Sequence, residues 1–252
     1  VGLAEDDGLW LTDTDTGQAR LLISIADAAR QAAPWLTERD PASFESYCFH
    51  SKFNAQRDRL IFTLRHFPAD QPVRFNALHH RLVDFEVMTI KPDGSDLHNA
   101  VPEPYWKHGG HHINFFPDGR RLSMNLRHDA GGDMLLTQVN HDGSDLRPIT
   151  RAMPGSGHPT VHPDGRHILT DTYVNEVHDF GDGSVPIRWI DLETPGDRQI
   201  LRIASRVEPM NHGALRVDPH PAWDRTMRWF AFNGVANNTR RVFVADATAL
   251  LE

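Results

Sequence analysis

Sixteen histidines occur in a chain of 252 residues, and four of them fall in register. His50, His112, His158 and His220 each stand three residues before a large apolar or aromatic side chain (Phe53, Phe115, Val161 and Trp223). A turn follows each one, and a second apolar run follows the turn. Four neutral imidazoles brought to one place suit a borderline divalent cation such as Mn²⁺, Zn²⁺ or Ni²⁺. Fifteen residues after three of these histidines come Arg65, Arg127 and Tyr173, whereas the fourth repeat has Val235 there. His66 and His128 come one residue later. Imidazole, guanidinium and phenol together supply a base, an anion-binding group and an acid.

The elements that must position these groups are short strands split by Gly/Asp/Pro turns. Pro117-Asp118-Gly119-Arg120 and Pro163-Asp164-Gly165-Arg166 end the runs opened by His112 and His158. Lys91-Pro92-Asp93-Gly94-Ser95-Asp96 and Asn140-His141-Asp142-Gly143-Ser144-Asp145 spell one turn twice, in successive repeats. A repeat of such strands predicts an all-β fold, a β-propeller of four-stranded antiparallel blades. The strands expected are 50–55, 60–64, 84–90 and a weak one near Leu97; 112–116, 122–126, 134–139 and 146–150; 158–162, 167–172, 187–192 and 199–203; and 220–223, 229–232 and 241–245. Two more at 8–12 and 20–23, then a short helix over 26–33, precede them. This makes about four to five blades in a single domain over 1–252. The expectation is that the chain is part of a larger, seven-bladed ring and lacks N-terminal blades.

In a meander with the first strand innermost, the start of the first strand and the end of the second share one face. His50, His112, His158 and His220 are therefore expected to ring the axis there, beside Arg65, His66, Arg127 and Tyr173. The long segments 66–83 and 174–186 open on that face, and the tight turns close the other. The competing reading is that the four histidines cap their blades by bonding to loop carbonyls. His111 is expected in blade or loop packing, and His108 in a loop or at the site. His79, His80, His98 and His141 are expected in solvated loops, and Asp171 in blade packing. Asp118, Asp164, Arg120 and Arg166 read as turn chemistry.

Composition narrows the function. A net charge of −8 argues against a nucleic-acid partner, and no apolar run reaches membrane-spanning length. The one cysteine, Cys48, excludes an internal disulfide framework. A cytoplasmic, periplasmic or secreted location stays open. No Gly-x-Ser-x-Gly elbow, phosphate loop or His-Glu-x-x-His helix is present.

From about Tyr47 onward the chain resembles the β-propeller polysaccharide lyases, chiefly the oligogalacturonate lyases and the ulvan lyases. The resemblance rests on Gly109-Gly110-His111-His112-Ile113-Asn114, Gly157-His158-Pro159, Leu169-Thr170-Asp171-Thr172-Tyr173 and Asp218-Pro219-His220-Pro221. It implies β-elimination on an acidic oligo- or polysaccharide that contains uronate. It also implies a divalent metal, manganese first, with zinc or calcium as alternatives, held by His50, His112, His158 and His220. The oligogalacturonate branch has a Gln-x-x-His-x-His run, and Leu215, Asp218 and His220 stand at its positions, so only the last is kept. The order of residues in the ulvan branch is similar to His108 or His112 with His128, then Tyr173 and Arg188. The resemblance thus implies catalytic roles for His112, His128, Tyr173 and Arg188, and substrate contacts for Arg65, His66, His108 and Arg127. A non-catalytic propeller of the TolB type, binding protein or sugar, is the alternative.

Overall fold

A computed structural model describes residues 2–70, 84–194, 196–207 and 217–251. The expected loop histidines His79 and His80, and Leu215, lie outside the described residues. Successive antiparallel sheets follow the repeats. A hairpin of β1 (Gly8–Thr12) and β2 (Ala19–Ser24) comes first. The first blade is β3 (Phe44–Phe53), β4 (Leu60–Pro68), β5 (Asp84–Ile90) and β6 (His98–Val101), paired in chain order. The second is β7 (Gly110–Phe115), β8 (Arg121–Arg127), β9 (Met134–Asn140) and β10 (Arg147–Pro148). The third is β11 (Thr160–Val161), β12 (His167–Thr170), β13 (Ser184–Asp191) and β14 (Gly196–Ala204). The last has three strands, β15 (Ala222–Trp223), β16 (Trp229–Ala236) and β17 (Thr239–Asp246). The fold is all-β and of the β-propeller class, with four blades among the described residues. Among the described residues no helix is long and apolar enough to cross a membrane.

The innermost strands of the third and fourth blades are shorter than expected. Pro159, Pro219 and Pro221 have no N–H to give to a ladder, so pairing begins two residues after His158 and His220. β3 starts earlier than expected, at Phe44, and bulges at His50-Ser51, where its register with β4 shifts between Phe49 and Lys52. β13 also starts early, inside the segment expected to be loop.

The chain divides into two compact units. The first is Val1–Gly109 with Gly119–Leu122 and Val139–Arg147. Here the helix Ile25–Ala32 is capped by Ser24, whose Oγ accepts from the Asp27 N–H at 2.9 Å. It lays Ile25, Ala28 and Ala29 against Phe44, Phe62, Leu64, Met88 and Ile90. The duplicated turn has one geometry in both copies. Gly94 and Gly143 each have φ 89°, and Asp96 and Asp145 have φ 56° and 55°. Asp93 and Asp142 each accept from the backbone N–H of the serine two residues on, at 2.9 Å. Arg59 reaches from the turn before β4 to the Asp96 carboxylate and carbonyl.

The second unit is Gly110–Asp118, Ser123–Gln138 and Pro148–Glu252. Alternation along the third blade divides its side chains between two faces. Leu169, Ile187 and Trp189 pack with Ile203, Phe230 and Phe232, while Ile168 and Ile190 pack with Phe116, Leu136, Met153 and Val161. The turn arginine pattern recurs: Arg166 Nε donates to Asp191 at 2.8 Å, and Arg228 Nη2 to Asp246 at 2.8 Å. The Asp164 carboxylate takes the N–H groups of Arg166 and His167 at 2.8 and 3.0 Å, so these residues are turn chemistry.

In the first unit Glu86 of β5 is fully buried. It accepts from Trp35 Nε1 at 3.1 Å, Asn99 Nδ2 at 2.6 Å and the Glu103 N–H at 3.1 Å. Burial pushes its carboxyl up to about 7, against the pull of those three donors. The folded chain therefore holds this proton more tightly than the unfolded chain. The resulting stabilisation is complete below roughly pH 4.5 and is lost as pH rises through about 7. The buried neutral His66 gains stability over part of the same window, so the loss is read as a difference: in thermal melts the wild type should fall relative to Glu86→Gln as pH rises from about 4.5 to about 7. A constant difference would remove Glu86 as its source.

Candidate metal centre

Three of the four registered histidines meet in the second unit. One ligand nitrogen each from His112, His158 and His220 lies within 4.8 Å of the others. His158 and His220 stack with ring centroids 3.2 Å apart, and His112 lies 3.8 Å from His158 and 5.8 Å from His220. Local backbone aims them. His112 on β7 and His220 ahead of β15 have left-handed φ values of 61° and 46°. At His158 the left-handed residue is Gly157 instead, with φ 64°.

Asp171 fixes the arrangement. Its carboxylate is fully buried just past the end of β12. It accepts the N–H of His158 at 2.6 Å, the Nδ1–H of His158 at 2.9 Å and the N–H of His220 at 2.9 Å. Desolvation raises its pKa, but the His158 hydrogen bond, the His158 charge and the two backbone donors outweigh that and hold the carboxyl below its usual range. A Cβ on Gly157 would fall 2.2 Å from the Asp171 carbonyl oxygen and 2.3 Å from its carboxylate, so only glycine fits before His158.

In the neutral ring, with Nδ1–H given to Asp171, Nε2 of His158 holds a lone pair. The Tyr173 hydroxyl sits 3.1 Å from that nitrogen and also bonds His112 Nε2. All three groups are satisfied when the phenol donates to His158 and accepts from an Nε2–H of His112. His220 keeps solvent access on one side. Burial on the other lowers its pKa, and His158 alongside adds to the shift, which favours the neutral imidazole that a cation needs. Three nitrogen donors plus an open side are the donor set of a catalytic rather than a closed structural metal site.

The remaining expected residues are placed differently. In the first unit His50 is exposed, has φ 52°, and stacks on Phe49 at 3.8 Å. The Arg65 guanidinium lies 3.7 Å over Phe49 and 4.8 Å over Phe85, and donates to the Tyr47 hydroxyl at 3.3 Å. His66, expected at a substrate, is fully buried against Trp35 and Phe44. Burial, helped by Arg39, drives its pKa down to about 4. His108 is half-buried in the turn after Glu103–Trp106. In the second unit Arg127 gives a donor to the Gly132 carbonyl at 2.6 Å, and His128 Nε2 meets Thr137 Oγ1 at 2.9 Å. Burial, then Arg151, lowers the His128 pKa.

Arg188, expected in a catalytic role, is fully buried and donates through Nε and Nη2 to Asp197 inside the blade. Asp171 was expected only in packing, and a usable signal existed. Thirteen residues after each registered histidine comes a polar side chain: Thr63, Asn125, Asp171 and Asn233. Asn125 Nδ2 donates to the Gly157 carbonyl at 2.8 Å, and Asn233 Nδ2 to the Asp218 carbonyl at 3.3 Å. The position braces the backbone just ahead of a registered histidine.

No family profile matches the chain, and no curated protein matches it. Solved structures do. An oligogalacturonate lyase in complex with manganese is similar over 96% of this chain and 55% of its own, at 14% identity and a TM-score of 0.64. An oligogalacturonate lyase from Vibrio parahaemolyticus is similar over 98% and 74%, at 12% identity and a TM-score of 0.53. TolB from Acinetobacter baumannii follows over 86% and 58%, at 13% identity and a TM-score of 0.48, too low to carry weight. The chain spans about half the length of the first of these lyases. Identities this low establish a shared β-propeller fold.

Proposed function

We propose that the chain is a metal-assisted lyase that cleaves a uronate-containing oligo- or polysaccharide by β-elimination. The observation that carries this reading is the Tyr173 hydroxyl seated between His112 and His158 within a three-imidazole cluster. The structural likeness to oligogalacturonate lyases, one of them a manganese complex, supports it.

His112, His158 and His220 would hold the cation. An all-nitrogen set argues against calcium, which takes oxygen ligands, and leaves manganese, as in the lyase neighbour, or zinc. Bound there, a divalent cation would offset negative charge developing beside it, on the substrate carboxylate and on the Tyr173 oxygen. Tyr173 first loses its hydroxyl proton to solvent, and the phenolate Oη then takes the proton α to the uronate carboxylate. The C–H electron pair becomes the new double bond as the C–O bond to the β-carbon breaks. The proton held on Oη then passes to the departing oxygen. Asp171 holds His158 in one tautomer throughout, so the cluster keeps its geometry while the proton moves.

Incubation with pectic, ulvan and glucuronan oligomers in the presence of Mn²⁺ or Zn²⁺, followed by ultraviolet absorbance of the conjugated product, tests the reading. Product should form with at least one of them and should vanish with a chelator; silence on all three would sink it. Tyr173→Phe keeps the ring but loses the proton carrier, so turnover should fall by about 10²–10⁴ with a smaller change in KM. Asp171→Asn should weaken metal binding, read by titration calorimetry, about 10–100-fold. An affinity equal to the wild type would show that Asp171 does not position the histidines.

A further inference from the structure

The last sheet lacks a polar rim residue at Val235, the position where the earlier repeats carry Arg65, Arg127 and Tyr173. Its strand pairing supplies a cation by another route. Arg240 on β17 lies directly opposite Val235 on β16, and Arg241 lies opposite Gly234. Two guanidinium groups thus stand at the end of the sheet where the pattern breaks, one strand further out.

Both arginines line an open cavity of about 410 Å³, within the size range of small-molecule sites. His220, a member of the imidazole cluster, lines the same cavity, which therefore adjoins the candidate metal centre. Val217 and Val242 give it apolar surface, and Asp218 and Asn233 give it hydrogen-bonding groups. Asn233 also ties its walls together. Its N–H donates to the Pro219 carbonyl at 2.7 Å and its Nδ2 to the Asp218 carbonyl at 3.3 Å. The segment carrying His220 is thereby fastened to the strand that pairs with the arginines.

We infer that this cavity is a subsite for one carboxylated sugar ring next to the metal centre. One guanidinium of the two receives the carboxylate, for which it offers paired parallel donors, and the other adds positive charge at the cavity wall. Asp218 and Asn233 take ring hydroxyls, and the two valines meet the apolar face of the ring. In a chain of net charge −8, an adjacent arginine pair gives this corner the local positive potential that an acidic sugar needs.

The inference rests on the lyase reading for its substrate class, and binding separates the two. Titration calorimetry on the full chain would use saturated trigalacturonate and its methyl ester as probes. The wild type should bind the acid at least about tenfold more tightly than the ester, and the Arg240→Ala/Arg241→Ala double variant should lose that preference. Both arginines are exposed, so the melting temperature should not move, and Arg240→Lys/Arg241→Lys should recover part of the affinity. Equal binding of acid and ester, or a double variant that binds like the wild type, overturns the subsite even if the chain cleaves uronides. Arginine-dependent binding of the acid upholds the subsite, and the lyase reading still falls if pectic, ulvan and glucuronan oligomers all go uncleaved. No binding of either probe by the wild type overturns the subsite.

Discussion

A single buried carboxylate organises the candidate centre. Asp171 is wholly removed from water, which for an isolated charge costs several kcal/mol. It is tolerated because its donors come from two segments: the main chain and ring of His158, and the main chain of His220. The carboxylate therefore ties together the backbones that lead into two successive blades. The close stacking of the two imidazoles follows from that shared anchor. Gly157 completes the device by contributing no side chain where one would strike Asp171.

The repeats show how a propeller makes such a device available. The arginine that closes each turn is used structurally, toward Asp96, Asp191 and Asp246 in three blades. Those pairs are partly or largely exposed and screened by solvent, so their role is to fix turn geometry more than to stabilise. At the opposite strand ends the braces differ from blade to blade. Asn125 and Asn233 bond carbonyls, whereas Asp171 bonds N–H groups and an imidazole. Replacing an amide by a carboxylate in one blade turns a neutral brace into one that selects a histidine tautomer.

Much of this was legible in the sequence, for definable reasons. The duplicated turns could be read because φ near 89° calls for glycine and the Asp–Ser bonds call for those side chains. The convergence of His112, His158 and His220 could be read because each lies at or just ahead of the start of its blade's first strand. Other placements could not. Adjacent residues on a strand face opposite ways, so with Arg65 lying over Phe49 and Phe85, His66 goes into the core, although the two read alike in sequence. The role of Arg188 depends on its cross-strand neighbourhood with Asp197, and a register with a bulge between Ile187 and Arg188 is not visible from composition. The brevity of β11 and β15 follows from prolines whose effect on pairing is plain only once the strand edges are known.

The left-handed backbone at His112 and His220 has a further consequence. A side chain held in that region costs about 1 kcal/mol relative to a relaxed conformation, and glycine escapes the penalty. Each of these sites is thus a place where the fold would be firmer with no imidazole at all. Selection for heat tolerance alone would drift toward glycine there, and an engineer seeking a hardier variant by that route would strip out the groups that chemistry needs. Durability and reactivity pull against each other at these backbone positions.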